Sequence, residues 1–151
     1  MDKSCTICQF LKEPLHPIIR TKYWNVELGT NQAYIGRAYV TLLDHKGRLS
    51  DLTHEEWRDF EELVGKLEVA YLKGLGAEPI NWSCLMNNAY QEEPYNPHVH
   101  WHLIPRYQKP VQIGDLVFRD EEYGHMFAPR KERSIDESVL STISDRIKAY
   151  L

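Results

Sequence analysis

His98-Val99-His100-Trp101-His102-Leu103-Ile104-Pro105-Arg106 holds three of the chain's seven histidines within five residues, at a strict spacing of two. Side chains alternate between faces along a β-strand, so the three imidazoles share one face. Val99, Trp101 and Leu103 take the opposite face and read as core. Three groups that titrate near neutral pH then stand side by side on a stiff backbone. That arrangement suits metal ligation or attack on phosphorus. One catalytic metal held by all three imidazoles is a rival reading. It needs a carboxylate or water to complete the site and leaves the cysteines without a role.

Outward from this stretch, a polar, Pro-containing loop covers 88–97, and residues 80–87 (INWSCLMN) read as a strand. Residues 23–43 are rich in Tyr, Val, Leu and Ile and fit two strands joined near Gly29-Thr30-Asn31. Thr53 followed by Glu56 is a capping box. Trp57, Phe60, Val64, Leu67 and Tyr71 then recur at helical spacing, predicting a long amphipathic helix ended by Lys73-Gly74. Ser134 and Glu137 form a second capping box, and Val139, Leu140, Ile143 and Ile147 predict a closing helix. Strands paired through hairpins around one long helix indicate an α+β fold with a mainly antiparallel sheet.

With 151 residues the chain is the size of one domain, and no linker, repeat or low-complexity tract divides it. The core is expected over about 5–107, with 108–151 as an extension ending in a helix. No apolar run approaches the ~20 residues of a membrane span. The N-terminal MDKSCTICQF lacks the apolar core of a secretory signal. A net charge of −4 argues against a nucleic-acid-binding field, so an anionic substrate needs local donors. Three cysteines without a signal favour a reducing cytoplasm. Cys5 and Cys8 form a C-x2-C pair, which is half a zinc site, a redox motif or two buried thiols.

The run HVHWHLIPR resembles the signature of the histidine triad (HIT) family of nucleotide hydrolases and transferases, His-φ-His-φ-His-φ-φ with φ hydrophobic. The element order over about 5–107 matches as well: a β-meander, a capped helix after an L-x-D-L-T phrase, then two strands with the triad on the second. The resemblance implies a five-stranded HIT-like sheet, and a homodimer in which two such sheets join side by side. It implies that His100 attacks the α-phosphorus of a nucleotide to form a nucleotidyl-histidine intermediate, and that His102 contacts phosphate oxygens or assists the leaving group. It places Asn87 near phosphate and ribose, and Asn31 against the ribose. Where many members carry a hydroxyl residue before the triad, this chain has Tyr95, with Asn96 a nearby donor. In zinc-bearing, bacterial-type members an N-terminal cysteine pair, a histidine before the long helix and the first triad histidine bind zinc. Cys5, Cys8, His45 and His98 fill those places as a closed structural site.

His16 and His54 read as surface residues, His125 as structural and Cys84 as a core thiol. Trp57 and Phe60 read as core. Arg106 fits a carboxylate anchor or a phosphate contact. The implied activity is phosphohydrolysis of a purine nucleotide or dinucleotide, with diadenosine tetraphosphate the leading substrate. Nucleoside phosphoramidate hydrolysis shares the intermediate, and a non-catalytic nucleotide-binding regulator is the reading from another class.

Overall fold

The computed structural model describes residues 2–91, 93–128 and 131–151. In chain order the elements are α1 (Thr6–Phe10), β1 (Pro17–Arg20), β2 (Trp24–Leu28), β3 (Ala38–Leu42), α2 (His54–Leu75), β4 (Ile80–Ser83), β5 (His100–Pro105), β6 (Val111–Ile113), β7 (Leu116–Phe118) and α3 (Glu137–Lys148). The five larger strands form one sheet in the order β1-β2-β3-β5-β4, antiparallel at every pairing. The expected α+β fold is the observed one, with a five-stranded antiparallel sheet, one long helix and a C-terminal helix.

Alternation along the strands sorts the two faces. Val26, Ala38, Val40, Leu42, Val99 and Leu103 are buried on the helix-covered face, together with Leu63, Leu67, Ala70 and Tyr71 of α2. Trp101, on the same face, stacks on Phe60 with ring centroids 5.0 Å apart. Phe60 also lies against Trp24 and Trp82, so one ring of α2 locates three strands. Trp57 meets the edge of this cluster, its ring 6.2 Å from that of Phe60, but is 37% exposed, contrary to the core reading. It sits one turn nearer the helix start.

The Thr53–Glu56 capping box forms as expected, with both reciprocal hydrogen bonds present. The other end of α2 differs. The helix runs on to Leu75, and Gly76 supplies the left-handed cap at φ 75°. Gly74 has another use: a Cβ there would collide with the carbonyl of Arg146, so the glycine lets α3 lie directly on α2. The second capping box does not form. Helix α3 begins at Glu137 with Asp136 as N-cap and no side-chain capping bond, because packing of Leu140, Ile143 and Ile147 sets its start.

Three segments depart from expectation. β1 is an added edge strand, β4 stops at Ser83 instead of 87, and residues read as irregular form the β6–β7 hairpin. Val111, Ile113, Phe118 and Ile143 belong to the same hydrophobic cluster as the sheet, so the segment read as an extension supplies part of the core. Arg106 anchors it. Its guanidinium meets the Asp120 carboxylate through two hydrogen bonds of 2.7 and 3.1 Å and also holds the His125 carbonyl. The carboxylate-anchor reading of Arg106 is the one realised. Among the described residues, no helix is long and apolar enough to cross a membrane.

Candidate active site and metal centre

The metal centre begins with local geometry at α1. Cys5 is its N-cap and accepts a hydrogen bond from the Cys8 amide on Sγ, so both thiols turn to the same side. Two backbone hydrogen bonds bring His45 and His98 to meet them. The Val99 amide donates to the Lys46 carbonyl at 2.8 Å, and the Leu42 amide donates to the Val99 carbonyl at 3.1 Å. Lys46 is held in turn by the Glu56 carboxylate at 2.7 Å, where the cap of α2 begins. Burial alone would raise the Glu56 pKa, but the Lys46 ammonium and the hydrogen bonds from Thr53 together outweigh it and keep the carboxyl below its ordinary value.

The donor atoms of Cys5, Cys8, His45 and His98 all lie within 4.8 Å of one another. The Nδ1 of His98 is 3.5 Å from each sulfur and 3.3 Å from Nδ1 of His45, which is itself 3.5 Å from Sγ of Cys8. A tetrahedral zinc with bonds of about 2.3 Å to sulfur and about 2.05 Å to nitrogen sets edges of about 3.5 Å for S···N and about 3.3 Å for N···N. The four residues thus fit zinc by donor type and by edge length. Cys5, Cys8 and His98 are at most 3% exposed, as suits a closed structural site. The other nitrogen of His98, Nε2, donates to the Leu42 carbonyl at 2.7 Å, which leaves Nδ1 as the metal-facing lone pair.

His98 lies just before β5, and its carbonyl faces the next histidine. Nδ1–H of His100 donates to that carbonyl at 2.8 Å. This selects the tautomer with an unprotonated Nε2, the form able to attack an electrophile. Next along the strand, the His102 ring lies 5.2 Å from His100 and 5.1 Å from Tyr39, its partner on β3. Burial, then the neighbouring His100 and Arg37, press the His102 pKa down to about 4. His102 is therefore neutral at physiological pH.

That depression predicts an acid-labile fold. In the unfolded chain His102 takes up a proton near pH 6.5, whereas the folded chain resists until about pH 4. Stability is unaffected above pH 6.5 and declines as pH falls from 6.5 to 4, by at most about 3 kcal/mol. Denaturant midpoints at pH 7 and pH 4.5 should differ less in His102→Gln than in the parent. An equal drop in both would remove His102 as the cause.

The arrangement has known counterparts. No family model matches the chain. A curated relative, the adenosine 5'-monophosphoramidase hnt1 of Schizosaccharomyces pombe, is 27% identical over 149 residues, covering 93% of this chain and 98% of that protein. A hypothetical histidine triad nucleotide-binding protein of Sulfolobus tokodaii superposes with a TM-score of 0.69 over 97% of this chain and 91% of its own, at 14% identity. This chain has the histidine triad fold. A zinc-bound histidine triad family protein of Mycobacterium smegmatis also matches, with a TM-score of 0.61, 18% identity, and 97% and 94% of the two chains covered.

Within this HIT fold the remaining expected residues fall in different places. Asn87 opens a short 3-10 turn over Asn87–Tyr90 and is exposed. Tyr95 is 51% exposed with its ring 5.3 Å from that of Tyr90. Asn96 and Asn31 both make hydrogen bonds within the chain. The Asn96 amide donates to Ser4 at 2.8 Å and to Asp2, so it ties down the N-terminal segment beside the metal centre. The Asn31 amide donates to the Lys131 carbonyl, and its oxygen accepts from the Ala33 and Arg133 amides. Asn31 thus pins the C-terminal segment to the hairpin through its oxygen and one of its two amide hydrogens.

The other histidines and Cys84 are bystanders. His54 and His125 are exposed, but the His16 side chain is only 13% exposed, 3.3 Å from Glu137 at the start of α3. Cys84 lies just beyond β4, half-buried, and burial raises its thiol pKa. Sequence reasoning missed Tyr39, Arg37 and Ser83. Tyr39 could have been placed by pairing the alternation of 38–42 against the triad strand. The other two follow only from the observed register.

Proposed function

We propose that the chain is a HIT-family nucleotide hydrolase working at the α-phosphorus. The observation that carries this reading is the His98 carbonyl holding the Nδ1 proton of His100. In the proposed reaction, Nε2 of His100 attacks the α-phosphorus. A phosphorus–nitrogen bond forms and the bond to the leaving group breaks. Water then cleaves the phosphorus–nitrogen bond and releases the nucleoside monophosphate. Neutral His102 lies beside His100, placed to hydrogen-bond a phosphoryl or departing oxygen. Asn87, Asn31, Tyr95 and Asn96 are the proposed polar contacts to substrate. Zinc at Cys5, Cys8, His45 and His98 braces the strand entry and takes no part in the chemistry.

Dinucleoside polyphosphates such as diadenosine tetraphosphate are the first proposed substrates. Phosphoramidates are the second, and the S. pombe relative, named as an adenosine 5'-monophosphoramidase, favours them. Rapidly quenched protein exposed to both substrate types should show a nucleotidyl adduct on His100 by mass spectrometry. A protein that binds adenosine monophosphate, forms no adduct and turns over neither substrate would be the non-catalytic binder instead.

We also propose that the whole of 1–151 acts as one domain in a cytoplasmic homodimer. The shared core supports the first part. For the dimer, β4 is an open edge of the sheet, and half-exposed Val69 and Leu72 of α2 flank it beside Ile80. An unpaired edge next to an apolar stripe suits a second copy of the same chain. A sedimenting mass near 17.8 kDa would exclude the dimer. Free Cys5, Cys8 and Cys84 suit a reducing compartment, which cell fractionation would test.

A further inference from the structure

On the triad face of the sheet, three polar atoms are buried without a hydrogen-bond partner among the described residues: Nε of Arg37, Oγ of Ser83 and Nε2 of His102. The sheet register brings them together. Ser83 on β4 is directly opposite His102 on β5, and Tyr39 on β3 is opposite His102 on the other side. Arg37 precedes Tyr39 by two residues, so it lies on the same face, one row further from the metal centre. Its guanidinium is 6.0 Å from the centre of the Tyr39 ring, and its charge is felt at His102. Buried polar groups are normally satisfied, so three orphans at neighbouring positions of the sheet register suit a place built for a ligand. Two of them, the arginine and the serine, are hydrogen-bond donors.

The charge of that ligand follows from the surroundings. The acidic group nearest in register is Glu27, opposite Tyr39 on β2. Its Oε1 already accepts the Leu15 and His16 amides at 2.6 and 3.2 Å. The guanidinium therefore faces the triad row as a cation, in a chain whose net charge is −4. Along the strand, the neighbour on the other side of His100 is His98, whose ring meets Cys5 and Cys8. A group extending from the phosphorus at His100 along the strand runs past His102 toward Arg37. Of the two arms on an α-phosphorus, the nucleoside is neutral and a phosphate chain is anionic, so the guanidinium selects the chain.

We propose that Arg37 and Ser83, with His102, form an anion subsite for the phosphate chain beyond the α-phosphorus, so that the preferred leaving group is a phosphate or polyphosphate instead of a neutral amine. The subsite rests on the reading of His100 as the attacking group, because that places the α-phosphorus. It makes Arg37 a specificity-determining residue.

The test reads binding without turnover. In a His100→Ala background, adenosine 5'-tetraphosphate and adenosine 5'-monophosphate are titrated calorimetrically against Arg37, Arg37→Lys and Arg37→Gln. With arginine, the tetraphosphate should bind about 10- to 100-fold more tightly than the monophosphate, as charge-assisted contacts to added phosphates give. Arg37→Gln should shrink that preference to about threefold or less, leave monophosphate affinity within about threefold, and keep the melting temperature of the background. Arg37→Lys should retain part of the preference, because a point charge replaces a fork. The subsite is overturned if the preference is absent with arginine, if it survives in Arg37→Gln, or if both ligands weaken equally. Because nothing is consumed, a failure of the hydrolase reading in the adduct experiment leaves this result interpretable.

Discussion

His100→Ala is expected to lower turnover of every accepted nucleotide by at least ~10⁴-fold, the scale on which loss of a nucleophile acts. Binding of adenosine monophosphate should change little, because Nε2 of His100 contributes a bond only once the phosphorus is attacked. Stability should also hold, since the His100 side chain is half-exposed and makes one hydrogen bond, to the His98 carbonyl. Steady-state kinetics, a binding titration and a thermal melt on one preparation separate the three effects. Residual activity within tenfold of the parent would mean that another group attacks the phosphorus.

The second large effect is on stability. Removing zinc by chelation, or replacing Cys8 with serine, should take bound zinc from about one per chain to none and lower the melting temperature by about 6–20 °C. Structural zinc contributes folding free energy outright, and a share of about 3–5 kcal/mol corresponds to such a shift in a chain of this length. The effect should stop short of global unfolding at room temperature. The buried cluster of Trp24, Leu63, Leu67, Leu103 and Ile143 contains none of the four ligands. Elemental analysis with a thermal melt of Cys8→Ser decides the matter. A variant that keeps its zinc would revive the reading in which the three triad imidazoles share one catalytic metal.

The triad strand β5 could be read from residues because its signal is redundant. Alternation, a run of histidines and an apolar opposite face all agree along 98–104. The same holds for the start of α2, where a capping box precedes a long apolar period. Weaker places have weaker local signals. β1 is four residues long with one fully buried side chain, Ile18, so alternation has too little length to show. The β6–β7 hairpin is held by packing of Val111, Ile113 and Phe118 onto a core assembled from distant residues. Gly74 looks like a helix stop, but its role depends on α3, more than sixty residues later.

The site divides along similar lines. Cys5, Cys8, His45 and His98 carry chemistry in their side-chain types, so composition and spacing announce them. Asn31 and Asn96 carry only general hydrogen-bonding capacity, and partners distant in sequence decide how it is spent. Arg37 and Ser83 become visible once the register sets them beside His102.

His98 offers its ring to the cysteines and its carbonyl to His100. Both hang from one α-carbon, so pinning the ring restrains the position from which that carbonyl reaches His100. The ring of His100 therefore inherits its angular tolerance from a coordination sphere that it never enters. A loose grip at the cysteines would be passed along one peptide unit as jitter in the direction of attack. Misplacement of about 1 Å can cost a reaction about 10²-fold. Held by four donors, the same unit acts as an alignment jig, and the accuracy of the nucleophile's aim is set partly by two thiols more than ninety residues earlier in the chain.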